Sequence, residues 1–139
     1  MPINPQQAQV VLVEDNADNL FIATELLQVV LKVRYCNARA SGRQLFKLLE
    51  STPTLRPDLI LLDIQIPHED GYTVLQQIRQ HPRLQDTVVV AVTANVMPQD
   101  VERARTAGFN GFIGKPINSR RFPQQIERVL AGDAVWEPR

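Results

Sequence analysis

Three apolar runs in this chain each end on a residue able to do chemistry. Val10-Val11-Leu12-Val13 runs into Glu14-Asp15, Leu59-Ile60-Leu61-Leu62 into Asp63, and Val88-Val89-Val90-Ala91-Val92 into Thr93. Continuous aliphatic runs of strand length fit strands buried on both faces, which means a parallel sheet flanked by helices. In such a sheet the carboxyl ends of the strands line the ligand crevice, so Glu14, Asp15, Asp63 and Thr93 are expected to meet in one pocket. Carboxylates gathered there repel: at an effective dielectric near 20, a like-charge pair about 4 Å apart costs roughly 4 kcal/mol before water relieves it. A hard divalent cation relieves that repulsion, and few carboxylates with open water positions suit magnesium. Lys115, at another strand end, adds a fixed positive charge. Asp63 is then placed to attack phosphorus, the metal and Lys115 to offset charge on the oxygens, and Thr93 to donate a hydrogen bond. The chemistry is phosphoryl transfer to a protein carboxylate.

The elements that must position these residues alternate strand and helix five times along the chain. Asn16 caps a helix expected from about Ala17 to Leu31, with Leu20, Ala23, Leu27 and Leu31 on one face. A weaker strand follows near Val33 to Asn37, then a helix near Gly42 to Glu50 carrying Leu45, Phe46, Leu48 and Leu49. After the strand ending at Asp63, Asp70 caps a helix from Gly71 to about Gln80 that Pro82 stops. Pro98 opens the fourth helix and Gly108 closes it, and Gly111 to Gly114 forms a short strand leading to Lys115-Pro116. If Asn118 caps the last helix, Pro123 lies inside it, which implies a late start near Phe122 or an irregular opening turn. Such alternation gives a doubly wound α/β sheet. Residues 1–9 read as a flexible segment, 10–132 as one domain, and 133–139 as a tail with Trp136 loosely packed.

At 139 residues the chain is one domain long, and 44% hydrophobic with 22% charged residues is an ordinary globular composition. The formal net charge is zero, so no electrostatic argument favours nucleic acid or a membrane surface as partner. A single cysteine, Cys36, fits a reducing, cytoplasmic setting and reads as a structural thiol. The polar, proline-containing start has no apolar signal core, and no run approaches the roughly 20 residues of a membrane span.

Together, Glu14-Asp15, Pro57 to Asp63, Pro67 with Asp70-Gly71, Thr93-Ala94 and Lys115-Pro116 resemble the receiver domain of two-component response regulators, from about Val10 to Ala131. The resemblance implies a flavodoxin-like (βα)5 fold, a five-stranded parallel sheet in the order 2-1-3-4-5. It implies that Asp63 is the phosphoacceptor for a histidine kinase or histidine phosphotransfer protein. Asp15 would be the direct ligand of Mg2+ or Mn2+, with Glu14 acting through water, and Asp63 and the Gln65 carbonyl completing the protein ligands. Thr93 would be the switch hydroxyl, Ala94 and Lys115 phosphoryl contacts, Lys115-Pro116 a cis peptide, and Phe112 the switch aromatic that turns inward when Thr93 moves. Glu14 stands where aspartate is commoner in the family, and Phe112 lacks the hydroxyl of the frequent tyrosine. The output implied is a phosphorylation-dependent protein-binding surface on a stand-alone receiver, monomeric or dimerising on phosphorylation. Catalysis would be limited to metal-dependent self-phosphorylation and autodephosphorylation.

Each residue alone has a plainer reading: Asp15 a helix cap, Thr93 a strand end, Lys115 a solvated lysine, Phe112 a core aromatic. Their joint spacing overturns these. His68 and His81, each near proline with no accompanying ligand cluster, keep structural roles. A haloacid-dehalogenase-type phosphatase would want an aspartate where Gln65 stands, and a nucleotide-binding enzyme a Gly-rich loop that is missing. The alternative that survives is a receiver-fold scaffold that binds partners without phosphorylation.

Overall fold

A computed structural model describes residues 2–139. The apolar runs become the central strands β1 (Gln9–Val13), β3 (Leu59–Asp63) and β6 (Val88–Thr93). With β2 (Tyr35–Arg39), β7 (Gly111–Gly114) and β8 (Trp136–Glu137) they form one parallel sheet in the order β2-β1-β3-β6-β7-β8. The helices are α1 (Ala17–Glu25), α2 (Gly42–Ser51), α3 (Gly71–Gln80), α4 (Pro98–Ala107) and α5 (Arg121–Leu130).

Successive strand residues point to opposite faces, and each strand therefore feeds two cores. Val11, Val13, Ile60, Leu62, Val89 and Ala91 pack with Leu45 and Leu49 of α2, Leu75 and Ile78 of α3, and Ala104 of α4. Val10, Leu12, Leu59, Leu61, Val90 and Val92 pack with Ala23 of α1 and Phe122, Ile126 and Val129 of α5. Burial on both faces is why these strands are unbroken aliphatic runs rather than alternating ones.

Helix ends follow their expected capping chemistry. Asn16 accepts from the Asn19 amide at 3.0 Å and Asp70 from the Tyr72 amide at 3.1 Å, while Gly108 closes α4 at φ 108°. Asn118 accepts from both the Arg120 and Arg121 amides. The helix begins at Arg121, so Pro123 falls in the first turn, where no intrahelical donor is needed.

Four local expectations are corrected. The first helix does not run evenly to Leu31. Leu26–Val30 takes π geometry, with the Leu31 amide bonded to the Leu26 carbonyl at 3.0 Å, and this wider turn keeps Leu26, Leu27 and Leu31 all buried. The second strand begins at Tyr35, not Val33, because the Val33 amide is spent on the Leu27 carbonyl and Lys32 turns the chain at φ 55°. The segment before β1 is tied down: Pro5–Gln7 forms a 3-10 turn capped by Asn4, and the Ile3 amide bonds to the Leu130 carbonyl. Finally, the tail forms β8, a sixth strand beside the expected five, and Val135 is fully buried.

A two-residue hairpin, β4 (Gln65–Ile66) with β5 (Glu69–Asp70), fills the link after Asp63. It packs closely on the start of α3: a Cβ at Gly71 would lie 2.6 Å from the Ile64 Cα and 2.9 Å from its carbonyl oxygen. Backbone cannot yield as a side-chain tip can. Gly71→Ala is therefore expected to lower stability by about 1–3 kcal/mol, the usual cost of overpacking, read as a lower urea midpoint with an unchanged slope. An unaltered midpoint would show that the Ile64 turn yields freely.

Candidate functional site

Parallel pairing brings the chemical residues to one edge. Val13 lies opposite Leu62, Asp63 opposite Val92, and Thr93 opposite Gly114. Glu14, Asp63, Thr93 and Lys115 consequently leave their strands on the same side of the sheet. The Glu14 amide donates to the Arg39 carbonyl at 2.9 Å and the Lys115 amide to the Thr93 carbonyl at 2.8 Å, which fixes both residues as they leave the sheet.

Carboxylate oxygens of Glu14, Asp15 and Asp63 all lie within 4.8 Å of one another. Glu14 is 6% exposed and Asp63 4%, whereas Asp15 faces solvent. Lys115 Nζ sits 2.6 Å from Glu14 Oε1 and 2.9 Å from Asp63 Oδ2. The remaining oxygens are also engaged: Glu14 Oε2 accepts from the Asn16 amide at 3.1 Å, and Asp63 Oδ1 from the Gln65 amide at 2.9 Å. One ammonium thus serves two buried acids, with a third carboxylate alongside.

The proton affinities record that imbalance. Burial raises the Glu14 pKa above the ordinary carboxylate value, the charge of Asp63 adds to this, and the hydrogen bonds from Lys115 and Asn16 oppose it without prevailing. Burial works against the Lys115 ammonium, but its hydrogen bonds and charge interactions with Glu14 and Asp63 outweigh that and hold its pKa above the usual lysine value. The donor set is three hard oxygens with excess negative charge, opening to water through Asp15, and it fits a divalent cation.

The other expected residues fall around this cluster. Thr93 is buried, and its Oγ1 accepts from the Asn95 amide at 3.2 Å. Ala94 is exposed at the start of the following loop, and Gln65 is exposed at the start of the hairpin. Lys115-Pro116 is cis. Phe112 is fully buried in the core that includes Ala104 and Phe109. The histidines lie elsewhere. His81 stacks on Phe46 and accepts from the Arg83 amide, while His68 turns the hairpin at φ 64°. Burial pushes the Cys36 thiol up to about 11, a pKa at which it stays protonated at neutral pH.

Two contributors escaped the sequence reading. Glu69 accepts from the Gly42 and Arg43 amides at 2.7 and 3.0 Å, tying the hairpin after Asp63 to the start of α2. Its only signal was an acid next to Asp70-Gly71. The other is β8, with Pro138 just after it packed against Gly114 beside Lys115.

Because its folded pKa is raised, the stability linked to Glu14 is present below the unfolded value near 4.5 and is lost as pH rises through the folded value. At pH 7 its ionised form is a net cost. Glu14→Gln is expected to raise the melting temperature at pH 7, with the gain shrinking as pH falls toward 4.5. Magnesium should stabilise the parent chain more than the variant, since only ligand binding to the folded state adds stability. Melts across pH, with and without magnesium, check this; a gain that persists unchanged at acid pH would contradict the charge argument.

Residues 10–127 match the response regulator receiver domain. The chain is 35% identical over 131 residues to the polar-differentiation response regulator DivK of Brucella anthropi, covering 90% of this chain and 97% of that protein. It is also 35% identical over 127 residues to the signal transduction histidine-protein kinase BarA of Escherichia coli, 91% of this chain but 13% of that much longer protein. Among solved structures, the receiver domain of the sensor histidine kinase PA1611 of Pseudomonas aeruginosa, with magnesium coordinated in its active site cleft, superposes with a TM-score of 0.72 at 29% identity, covering 91% of this chain and 99% of that one. The chemotaxis response regulator CheY4 of Vibrio cholerae shares the fold, with a TM-score of 0.75 at 22% identity over 88% of this chain and 98% of that one. Two relatives of different build thus align over nearly all of this chain, and it belongs to the family of response regulator receiver domains.

Proposed function

We propose that Asp63 accepts a phosphoryl group from the phosphohistidine of a histidine kinase or histidine phosphotransfer protein. The observation that carries this reading is Lys115 Nζ, 2.9 Å from Asp63 Oδ2 inside a cluster of three carboxylates. In the transfer an Asp63 carboxylate oxygen forms the new bond to phosphorus, the donor's nitrogen–phosphorus bond breaks, and the imidazole leaves with its electron pair. The ammonium that neutralises Asp63 beforehand then faces an oxygen of the incoming group, so little charge must be rearranged.

Asp15, Asp63 and the Gln65 carbonyl would hold Mg2+ or Mn2+, with Glu14 acting through water. The metal supplies positive charge against the phosphoryl oxygens when bound. Magnesium in the PA1611 receiver and the acidic cluster here support that assignment. Thr93 gives up its Asn95 contact to donate to the phosphoryl group, and the Ala94 amide holds another oxygen. Phe112 is the switch aromatic, seated inward in this structure.

Output is a protein contact that depends on phosphorylation, and not turnover of a diffusible substrate. The similarity to DivK over almost its whole length supports a stand-alone role; the similarity to BarA supports a receiver within a longer kinase. No helix among the described residues is long and apolar enough to cross a membrane. The balanced charge supports a protein partner over nucleic acid, and the single cysteine supports a cytoplasmic setting.

Incubation with magnesium and acetyl phosphate should add one phosphoryl group to the parent chain and none to Asp63→Asn, read by intact mass. Omitting magnesium should suppress the adduct. An absent adduct under a short-dead-time quench, together with no beryllofluoride binding, would leave the receiver fold acting as an unphosphorylated binding scaffold.

A further inference from the structure

β8 occupies the edge of β7 that would otherwise present unpaired backbone groups. The Phe112 amide donates to the Val135 carbonyl at 2.8 Å, Phe112 lies opposite Trp136, and Ile113 opposite Glu137. Side chains then clamp the strand to both flanking helices. The Arg105 guanidinium of α4 lies over the Trp136 ring at 4.3 Å. Glu137 accepts from Arg121, Gln125 and Arg128 of α5 at 3.2, 2.9 and 2.6 Å. Arg121 also donates to the Arg139 carbonyl at 2.7 Å.

The fit depends on missing side chains in β7. A Cβ at Gly111 would lie 2.7 Å from the Val135 carbonyl oxygen, and one at Gly114 would lie 1.9 Å from that of Pro138. The second point is also 2.9 Å from Val96 Cγ1. Val96, in the loop that follows Thr93, and Pro138, just after the docked strand, therefore both crowd the open face of Gly114. A cavity of about 300 Å³ lined by Val96, Gly114, Lys115, Gln125, Glu137 and Pro138 opens beside this junction. The same loop is covalently attached to Thr93, and Gly114 to Lys115, so the docked strand ends against the moving parts of the phosphoryl site.

We propose that the edge of β7, between α4 and α5, is an interaction surface whose resident occupant is the Asp133–Arg139 segment, and that phosphoryl transfer to Asp63 loosens this occupant. The inference rests on the phosphoacceptor reading above. When Thr93 moves onto the phosphoryl group, residues 94–97 are drawn with it, and Val96 withdraws from the face of Gly114 that Pro138 also crowds. The segment loses its wall at Gly114 and yields the edge to a protein partner. The exposed residues Asp133 and Ala134, after Gly132 at φ 96°, give the hinge about which it leaves. Linkage makes the effect reciprocal: whatever loosens the segment must favour the phosphoryl-bound state by the same factor.

Trp136 is the only tryptophan in the chain and reports the segment directly. The full chain with magnesium is titrated with beryllofluoride, and protein-bound fluoride is followed by fluorine NMR. Acrylamide quenching of Trp136 and hydrogen exchange at the Phe112 amide are read on the same samples. Binding should make Trp136 more quenchable and speed Phe112 exchange several-fold, while the amides of the β1–β3 pair stay protected. Trp136→Ala and Glu137→Gln should each tighten beryllofluoride binding about five-fold, the lower end of typical coupling. A bound-fluoride signal with Trp136 and Phe112 unchanged, or better protected, would overturn this inference and leave the phosphoacceptor reading standing. No bound signal would overturn both.

Discussion

Lys115 holds two buried carboxylates at once, and much of the fold serves to keep it there. Burying a charge without a partner costs several kcal/mol, and Glu14 and Asp63 are both nearly inaccessible. They share one ammonium because β1, β3, β6 and β7 run parallel and in register, which brings their carboxyl ends to a common edge. The amide of Lys115 is bonded to β6 and its side chain crosses to the ends of β3 and β1. A slip of one residue in any of these strands would turn the acids or the ammonium away and leave buried charge unpaired. The arrangement remains short of positive charge, with three carboxylates facing one ammonium, and burial together with the Asp63 charge raises the Glu14 pKa. A pocket left one cation short is already shaped for what it is proposed to bind.

The division between fixed and movable parts follows from burial. Strand residues on either side of the site pack into two cores, one against α2, α3 and α4 and the other against α1 and α5. The residues that would change partners stand where those cores stop: Asp15, Ala94, Asn95 and Met97 are exposed, and Val96 is half-buried. Loops with few buried contacts open at small cost, whereas the strands beneath them open only with the whole domain. The phosphoryl transfer proposed for Asp63 would therefore move the loop after Thr93 without disturbing the frame that holds Lys115.

What the sequence made legible is what continuous burial or capping chemistry marks. The runs ending at Val13, Asp63 and Thr93 have no polar interruption, and Asn16, Asp70 and Gly108 sit where helix ends require them. The cluster itself was readable because each member ends a strand or follows one within two residues. Features set by distant packing were not. The π turn at Leu26–Val30 depends on which leucines the sheet and α5 accept, and the start of β2 depends in turn on how that helix ends. The β4–β5 hairpin has two residues per strand, too few for any periodicity. β8 is equally short, and its register is set by Gly111 and Gly114 in another strand, whose missing side chains look from sequence like ordinary turn glycines.

The inward seat of Phe112 bears on how a change at Asp63 could leave the site. In a parallel pair, opposed residues share a face of the sheet, so Trp136 stands beside the Phe112 ring, with Arg105 over it. Ala104 and Phe109 belong to the same packed cluster. A ring so enclosed has no free path toward the edge while the segment is docked, and its amide is the donor that holds Val135. The switch aromatic is therefore held inward while the segment is docked, and the crowded point beside it is Gly114, whose open face both Val96 and Pro138 approach. The signal from a strand-end carboxylate would then reach the surface through one loop and the crowded face of Gly114, with β1, β3 and β6 unmoved.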